Sequence, residues 1–240
     1  MNQLILSLFP GIGLLDMAFE AEGFVVVRGP DVLWGGDIRR FHPPAGRFDG
    51  VIGGPPCQCF SRMQNINRSM GREPSFPNLI PEFERCVADA LPRWFLMENV
   101  PEAPSPWVES YDLRSFTLNN RQCIDEDGKA AKQNRIRKII WAWRDDPCPP
   151  LLLDIAMWHN EVFEGAAISH ATSWSKVNQR PEGSQSVANF KILCRKQGLP
   201  DGFDLPPFTV AAKCKAVGNG VPLAMGRALA RAVKEATESP

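Results

Sequence analysis

This sequence lacks the features that are typical of membrane, secreted and repeat proteins. No uninterrupted apolar run approaches the ~20 residues that a membrane-spanning helix needs. The first residues carry no basic segment ahead of an apolar core, so we expect no secretory signal. Internal repeats and low-complexity tracts are missing as well. With 240 residues, 44% hydrophobic and 22% charged, the chain can form one domain, with or without a small appendage, and we expect it in the cytoplasm.

Paired cysteines are also missing. The chain has seven cysteines, an odd number, and none of them forms a CxxC pair. This argues against a disulfide framework and against a structural zinc site. The spacing of Cys57 and Cys59 could belong to a metal site only with a partner cluster, and no such cluster accompanies it. We therefore expect no metal.

A net charge is missing too, because 27 Lys and Arg residues balance 27 Asp and Glu residues. Nucleic-acid-binding proteins usually carry a basic excess, so the balance argues weakly against such a partner. The charges are unevenly distributed, however. Residues 171–200 contain five basic residues and one acidic residue, whereas residues 151–170 contain three acidic residues and no basic ones. A basic face is therefore compatible with zero net charge.

The most informative stretch of the sequence is residues 49–61. Its short apolar run, residues 51–52, ends at two glycines, which is typical of a buried parallel strand reaching its carboxyl end. Pro55 and Pro56 then impose a stiff, extended path, and Cys57 follows. Because open α/β sheets bind ligands at that edge, the pattern predicts a thiol held as a nucleophile. The alternative is a structural cysteine after a proline-rich turn.

A strand, a glycine turn and a helix open the chain, over residues 4–9, 10–13 and 14–21. A second strand, residues 24–27, is followed by Asp31, at the distance where dinucleotide-binding folds place the acid that holds ribose hydroxyls. These features favour a nucleotide-type α/β unit. The alternative for residues 10–13 is a simple tight turn. The alternative for Asp31 and for the nearby Asp37 is an ordinary solvated loop acid.

Later strands bring further polar groups. Residues 94–97 predict a buried strand that ends at Glu98, where a carboxylate is costly unless it is paired or used. Residues 136–143 predict another strand, and alternation places Arg135 and Arg137 on one face of this extended segment. The alternative for the two arginines is a solvent-facing pair at the edge of the sheet.

The remaining segments differ in composition. Residues 61–72 are polar and predict a mobile loop that contacts phosphate or closes over a substrate, or else a merely solvated loop. The segment 144–190 becomes irregular, as in an insert. Three helices are predicted, at residues 79–91, at 188–197, and after a turn within 216–233, and a further strand is predicted at 115–118.

Five motifs occur in this order: Phe9-Pro-Gly-Ile-Gly13, Pro55-Pro-Cys-Gln58, Glu98-Asn-Val100, Gln133-Asn-Arg-Ile-Arg137 and Gly218-Asn-Gly-Val221, with Leu199-Pro-Asp-Gly-Phe203 before the last. Together they resemble the C5-cytosine methyltransferases of DNA, over about 1–143 and 188–236, and most closely the compact prophage members. The resemblance implies the Rossmann-like α/β fold of S-adenosylmethionine-dependent methyltransferases. It also implies a catalytic and cofactor-binding domain formed by residues 1–143 together with residues 188–240. Residues 144–187 would form a small target-recognition region between these two parts.

The resemblance implies the chemistry as well. Cys57 would add to C6 of a cytosine, Glu98 would hydrogen-bond or protonate N3, and Arg137 would bind O2 with support from Arg135. The activated C5 would then take the methyl group of S-adenosylmethionine, leaving S-adenosylhomocysteine. Because C5 is buried in duplex DNA, the base would have to be flipped out.

By the same resemblance, the cofactor would be held by the glycine turn, by the two acids and by the residues beside them. These are Phe9, Gly11, Ile12, Gly13, Asp31 for the ribose, Asp37 for the adenine amino group, Ile38, Pro55, and Asn219 at the methionine end. The DNA would be contacted by Pro56, Gln58, Ser61, Arg62, Asn99, Gln133, Trp174, Lys176, Asn178, Gln179 and Arg180. The implied partner is double-stranded DNA, which the protein would bind as a monomer at the nucleoid. The resemblance implies neither a metal ion nor a membrane. A paired restriction nuclease is left open.

The sequence departs from the family pattern at several points. Asp31 stands where the family usually has Glu, and Cys59 is a second thiol near Cys57. The segment between Asp31 and Asp37 is short, so the adenine pocket is expected to lack its usual aromatic cover. The small recognition region suggests a short or relaxed target, or help from a partner.

Three rival functions are weighed against this one. The first is a tRNA cytosine-5 methyltransferase, although the Cys-Phe-Thr tripeptide that marks that branch is absent. The second is a catalytically inactive DNA-binding or cofactor-binding homologue, which the intact Cys57, Glu98 and Arg137 make improbable. The third is a nicotinamide oxidoreductase, which would not explain the Pro-Pro-Cys-Gln motif.

Overall fold

The computed structural model describes residues 2–60, 77–156, 164–167 and 186–238. Its strands are β1 Leu4–Leu8, β2 Val25–Arg28, β3 Gly50–Gly53, β4 Trp94–Asn99, β5 Tyr111–Asn119, β6 Gln133–Asn134, β7 Ile136–Arg144 and β8 Glu164–Gly165. Its α-helices are α1 Leu14–Ala21, α2 Ile80–Ala90, α3 Val187–Lys196, α4 Val210–Asn219 and α5 Leu223–Glu238. Short 3₁₀ turns cover Val32–Trp34, Ile38–Arg40, Cys57–Phe60 and Asn120–Gln122.

Six strands form one sheet in the order β2-β1-β3-β4-β7-β5. The first four run parallel, so the residues that follow β1, β2, β3 and β4 all meet at one edge of the sheet. Strand β7 runs antiparallel to both of its neighbours, β4 and β5. The predicted α/β, Rossmann-like class is confirmed. The strand that carries Arg137 lies inside the sheet, so the alternative of a solvent-facing edge strand is wrong.

Both faces of the sheet are covered, which explains why its central strands are apolar without interruption. On one face, Ile5, Ile52 and Leu96 pack with α1 and α5. On the other face, Leu6 and Val51 pack with α2. Neighbouring residues of one strand point to opposite faces, so each strand contributes to both halves of the core.

Helices α1 and α5 approach each other closely because small residues face each other. A Cβ atom placed on Gly226 would lie 2.6 Å from the Cβ of Ala18. That distance is far shorter than an ordinary van der Waals contact, and neither atom belongs to a side chain that can swing away. Glycine at this position therefore sets how closely α5 packs on α1.

The predicted strands and helices are confirmed within a few residues, but the two-residue strands β6 and β8 and helix α4 were not predicted. Helix α4, Val210–Asn219, was not predicted, because Gly218, Asn219 and Gly220 give a strong turn signal at its end. The helix begins where the Thr209 hydroxyl accepts a hydrogen bond from the Ala212 amide at 3.3 Å. Across the described ranges, no helix combines the length and apolarity needed to cross a membrane.

Replacing Gly226 with Ala should destabilise the protein. Overpacking costs about 1–3 kcal/mol, and the better helix propensity of Ala returns about 1 kcal/mol, so the free energy of unfolding should fall by up to about 2 kcal/mol. Urea unfolding measures this loss. The matched control introduces Gly226→Ala into an Ala18→Gly background, where the opposing Cβ is gone and the change should be neutral or stabilising. The same loss in both backgrounds would contradict the packing argument.

Candidate active site

The stretch after β3 lies against the end of β4. A Cβ atom on Gly53 would lie 2.7 Å from the Leu8 carbonyl oxygen and 3.0 Å from the Phe83 ring, so only glycine fits here without a shift. The buried Asn99 side chain donates a hydrogen bond to the Pro55 carbonyl oxygen at 3.1 Å. The two prolines are thus fixed from the neighbouring strand, and Cys57 begins the 3₁₀ turn that follows them.

Glu98 and Arg137 form an ion pair beside this turn. Arg137 Nε lies 2.7 Å from Glu98 Oε1, and both side chains are largely buried. The sheet register explains the contact, because Glu98 is opposite Ile139 and Arg137 lies two residues before Ile139 on the same face of β7. The second carboxylate oxygen, Oε2, would be 3.2 Å from a Cβ on Gly54, so it lies against the end of β3.

The thiol of Cys57 lies in the electrostatic field of this pair. Burial raises the pKa of Cys57 above its ordinary value, and the negative charge of Glu98 raises it further. The cations Arg137 and Arg135 act in the opposite direction. The thiol is therefore held protonated at rest, with two guanidinium groups near enough to stabilise a thiolate.

Arg135 is held differently from Arg137. Its guanidinium is buried and donates hydrogen bonds to the carbonyl oxygens of Ala167 at 2.6 Å, Gly218 at 3.1 Å and Gly220 at 3.0 Å. Gly218 belongs to the last turn of α4, where the unpaired carbonyls of a helix favour a cation. Burial, with a smaller effect of Arg137, lowers the pKa of Arg135 to about 9, which leaves it charged at neutral pH.

The glycine turn after β1 is tied to Asp31, which follows β2. Asp31 Oδ2 accepts a hydrogen bond from the Gly11 amide at 2.9 Å, and Oδ1 accepts one from the Leu33 amide at 2.8 Å. Phe9, Gly11 and Gly13 all have positive φ, of 56°, 56° and 81°. For Phe9 this conformation is strained, and such strain is concentrated at functional sites.

An aromatic residue lies over this turn. The indole of Trp34 donates a hydrogen bond to the Gly11 carbonyl oxygen at 2.7 Å, and its ring meets Phe208 edge-on at 5.3 Å. Trp34 is 58% exposed, and Val32 beside it is 86% exposed. An aromatic ring therefore lies beside the glycine turn, three residues after Asp31, in the short segment from which we expected no aromatic cover for the adenine. Sequence reasoning missed Trp34, although Trp is a recognisable candidate for such a role.

Asp37 is paired with an arginine. Its carboxylate is engaged by Arg39, through the amide at 3.1 Å, Nε at 2.9 Å and Nη2 at 3.0 Å. These hydrogen bonds hold the pKa of Asp37 below its ordinary value. The next residue, Ile38, is buried in the core. A ligand at Asp37 would have to share the carboxylate with Arg39.

Asn219 is the last residue of α4, and the turn that follows it, residues 220–222, reaches the beginning of α1. A Cβ atom on Gly220 would lie 2.9 Å from Leu14, the residue after Gly13, so the two turns are neighbours. The Asn219 side chain is exposed there. The structure therefore brings Asn219 beside the glycine turn, at the same edge of the sheet as Asp31.

The other residues singled out in the sequence have varied positions. Ile12, Pro56 and Gln58 are half-buried near the turns just described, and Pro55 is buried. Gln133 is buried, and its amide bonds within the protein, accepting from the Ala167 amide at 3.2 Å. The remaining candidates lie outside the described residues: Ser61, Arg62, Trp174, Lys176, Asn178, Gln179 and Arg180, together with the loop that follows Cys57.

A buried glutamine that the sequence did not single out also belongs to this region. Gln197, directly after α3, is fully buried and contacts the backbone on both sides of Asn219. In the described part of the chain, no group of His, Cys, Asp and Glu residues has the arrangement of a metal site.

Comparison with known proteins identifies relatives of this chain. A family model described as C-5 cytosine-specific DNA methylase matches residues 35–107, which include Cys57 and Glu98. The Type II methyltransferase M.NgoPII of Neisseria gonorrhoeae is 32% identical over 98% of this chain and 96% of its own length. That alignment runs over 333 positions, so the relative contains segments that this chain of 240 residues lacks.

Other relatives match less completely. The Type II methyltransferase M.AquIA of Picosynechococcus is 31% identical over 55% of this chain, which spans 62% of that relative's length. Among solved structures, a putative DNA modification methyltransferase encoded within a prophage of E. coli superposes with a TM-score of 0.63 over 99% of this chain and all of that one. Its sequence identity is 16%, so this likeness concerns the fold. The M.NgoPII match extends over nearly the whole of both chains, and the chain therefore belongs to the C5-cytosine-specific DNA methylase family.

Proposed function

We propose that this protein transfers a methyl group from S-adenosylmethionine to C5 of cytosine in double-stranded DNA. One observation carries the proposal: Cys57, Glu98 and Arg137 follow or belong to three adjacent strands and meet at one edge of the sheet. The same edge carries the glycine turn with Asp31 and Asn219. A nucleophile, an acid and a cation thus lie beside a candidate cofactor pocket, as the family chemistry requires.

The residues around the glycine turn fit an adenosyl cofactor. A Cβ atom on Gly11 would meet nothing within 4 Å, so the backbone there is open to a ligand. Asp31 lies where it can accept hydrogen bonds from ribose hydroxyls, and Trp34 offers a ring for the adenine. Asn219 would line the methionine end. When bound, the cofactor would supply an electrophilic methyl group on a sulfonium.

The pair of Glu98 and Arg137 suits one edge of a cytosine. O2 is carried by C2, the ring atom next to N3, and both O2 and N3 accept hydrogen bonds. Arg137 would donate to O2, and Glu98 would donate to N3 and must carry a proton in that complex. Negative charge that develops when Cys57 adds to C6 would then be stabilised at both positions. In the structure the two groups form an ion pair with each other, which keeps them in place.

The reaction would proceed through a covalent adduct. Cys57 would lose its proton to solvent, and its thiolate Sγ would bond to C6 as the C5–C6 double bond breaks and its electrons move toward N3, where Glu98 would donate a proton. C5 would accept the methyl group that bound S-adenosylmethionine supplies, leaving S-adenosylhomocysteine. Loss of the C5 proton to solvent would then restore the double bond and expel the Cys57 thiolate. Because the target base must leave the duplex, polar residues after Cys57 and within 144–187, the proposed recognition region, would contact the DNA. We propose a monomer at the nucleoid, and pairing with a nuclease stays open.

Loss of the thiol should abolish methylation. Bisulfite sequencing of DNA from cells that express the protein should show 5-methylcytosine, and Cys57→Ala should show none while still binding S-adenosylhomocysteine. The wild type should also form a covalent complex with 5-fluorocytosine DNA, since only an active thiolate forms that adduct. Methyl transfer to tRNA in place of duplex DNA would favour the first rival. A wild type without methylation or adduct would favour the inactive homologue.

Replacing Asp31 with Ala should weaken cofactor binding. The change removes the ribose acceptor and the acceptor of the Gly11 amide, and hydrogen bonds to a charged group contribute about 1.5–3 kcal/mol, so the Kd should rise by about 10- to 100-fold. Calorimetry with S-adenosylhomocysteine measures this. Asp31→Asn keeps an acceptor for the Gly11 amide and should lose less. Equal affinity in wild type and Asp31→Ala would remove the ribose assignment.

Glu98→Gln should shift the pH dependence of thiol reactivity. The Glu98 charge raises the pKa of Cys57, so a neutral side chain of the same shape should lower that pKa and enlarge the thiolate fraction at a given pH. The rate at which iodoacetamide alkylates the Cys57 peptide, followed by mass spectrometry, should therefore rise at lower pH than in the wild type. Methylation should nevertheless fall, by about 10²- to 10⁴-fold.

Glu109→Gln is the matched control, because this exposed acid lies outside the site. It should leave both the alkylation profile and methylation unchanged. An unshifted Cys57 profile in Glu98→Gln would show that the carboxylate does not control the thiol.

A further inference from the structure

The end of α4 and the turn that follows it are held from the interior of the protein by two side chains. Gln197 Nε2 donates hydrogen bonds to the carbonyl oxygens of Val217 at 2.7 Å and Gly220 at 2.9 Å, one on each side of Asn219. Arg135 donates to the carbonyl oxygens of Gly218 and Gly220. The backbone carbonyls around Asn219 thus bond inward, while the Asn219 side chain is exposed.

Gln197 is well suited to fix this turn. Its relative exposure is 0%, and the two carbonyl acceptors determine which way its amide is oriented. Its Oε1 accepts from Gln133 Nε2 at 3.3 Å, and its backbone carbonyl accepts from the Leu223 amide at 3.0 Å, at the beginning of α5. Every polar group of the side chain therefore has a partner. A buried, fully satisfied network of this kind favours one geometry over others.

The position of this turn matters because it lies beside the glycine turn. Gly220 packs against Leu14, so a shift of the backbone at 217–220 would change the distance between Asn219 and Gly13. From these contacts we infer that Gln197 is a positioning residue for the cofactor, which sets the place of Asn219 through the backbone of residues 217–220 without touching the ligand. The inference rests on the proposed function, in which Asn219 lines the methionine end.

The test compares variants of Gln197 by calorimetry with S-adenosylhomocysteine. Gln197→Met keeps the size of the side chain and removes its hydrogen bonds, so we expect the Kd to rise about tenfold. Cys194→Ala is the matched control, because Cys194 is buried one turn earlier near the end of α3 and no hydrogen bond joins its side chain to residues 217–220. It should lower stability without changing the Kd.

A double-mutant cycle separates positioning from general destabilisation. If Gln197 acts through Asn219, Gln197→Met should add little to the loss that Asn219→Ala already causes. Additive losses would instead mean that Gln197 affects the pocket by some other route, and the inference would fail.

A pH series with Gln197→Glu gives an independent readout. Burial raises the pKa of the introduced carboxyl group, and only its protonated form can donate to a carbonyl. The affinity of this variant should therefore recover as the pH is lowered across the neutral range, relative to the wild type and to Gln197→Met. This series decides the matter even if Gln197→Met does not fold.

The outcomes distinguish failure of the proposed function from failure of the positioning role of Gln197. A wild type that does not bind S-adenosylhomocysteine would overturn the proposed function. A wild type that binds it, with unchanged affinity in Gln197→Met and no pH response in Gln197→Glu, would overturn the positioning role alone.

Discussion

The ion pair between Glu98 and Arg137 is the contact on which the candidate site depends. Burying a carboxylate and a guanidinium together costs desolvation energy that their attraction repays only with good geometry, so such a pair is weak evidence of a stabilising role. Here the geometry comes from the antiparallel register of β4 and β7, which aligns the two residues on one face. The sheet thus holds two charged groups in place at the edge where we propose that the cytosine binds.

The two arginines of the 133–137 segment show how a short motif can serve two purposes. Both follow the alternation of an extended chain, and both influence the Cys57 thiol. Arg137 reaches Glu98, whereas Arg135 reaches the carbonyls at the end of α4. Arg137 therefore belongs to the candidate base pocket, and Arg135 holds the backbone beside the candidate cofactor pocket. The motif joins the two pockets through a single stretch of backbone.

Much of the sheet could be predicted because its signals are local. A short apolar run followed by glycine or by a charged residue predicts both the strand and the chemistry at its end, as at residues 51–57 and 94–98. The contacts that complete the site are not local. Gln197 meets Gln133 across 64 residues, and Trp34 meets Phe208 across the chain. The local periodicity of the sequence does not predict such long-range contacts. Helix α4 was missed because residues 218–220 give a strong turn signal.

The environment of the half-buried Cys57 differs from that of the fully buried Cys123 in a way that bears on reactivity. Burial raises the pKa of Cys123 to about 12, and no cation among the described residues opposes this shift. In Cys57, burial and Glu98 are opposed by two guanidinium groups. Protonation of Glu98, or its engagement with a base, would remove one of the effects that keep the thiol neutral and leave both cations in place. In the proposed mechanism, binding of the base would therefore lower the pKa of the Cys57 thiol and enlarge its thiolate fraction.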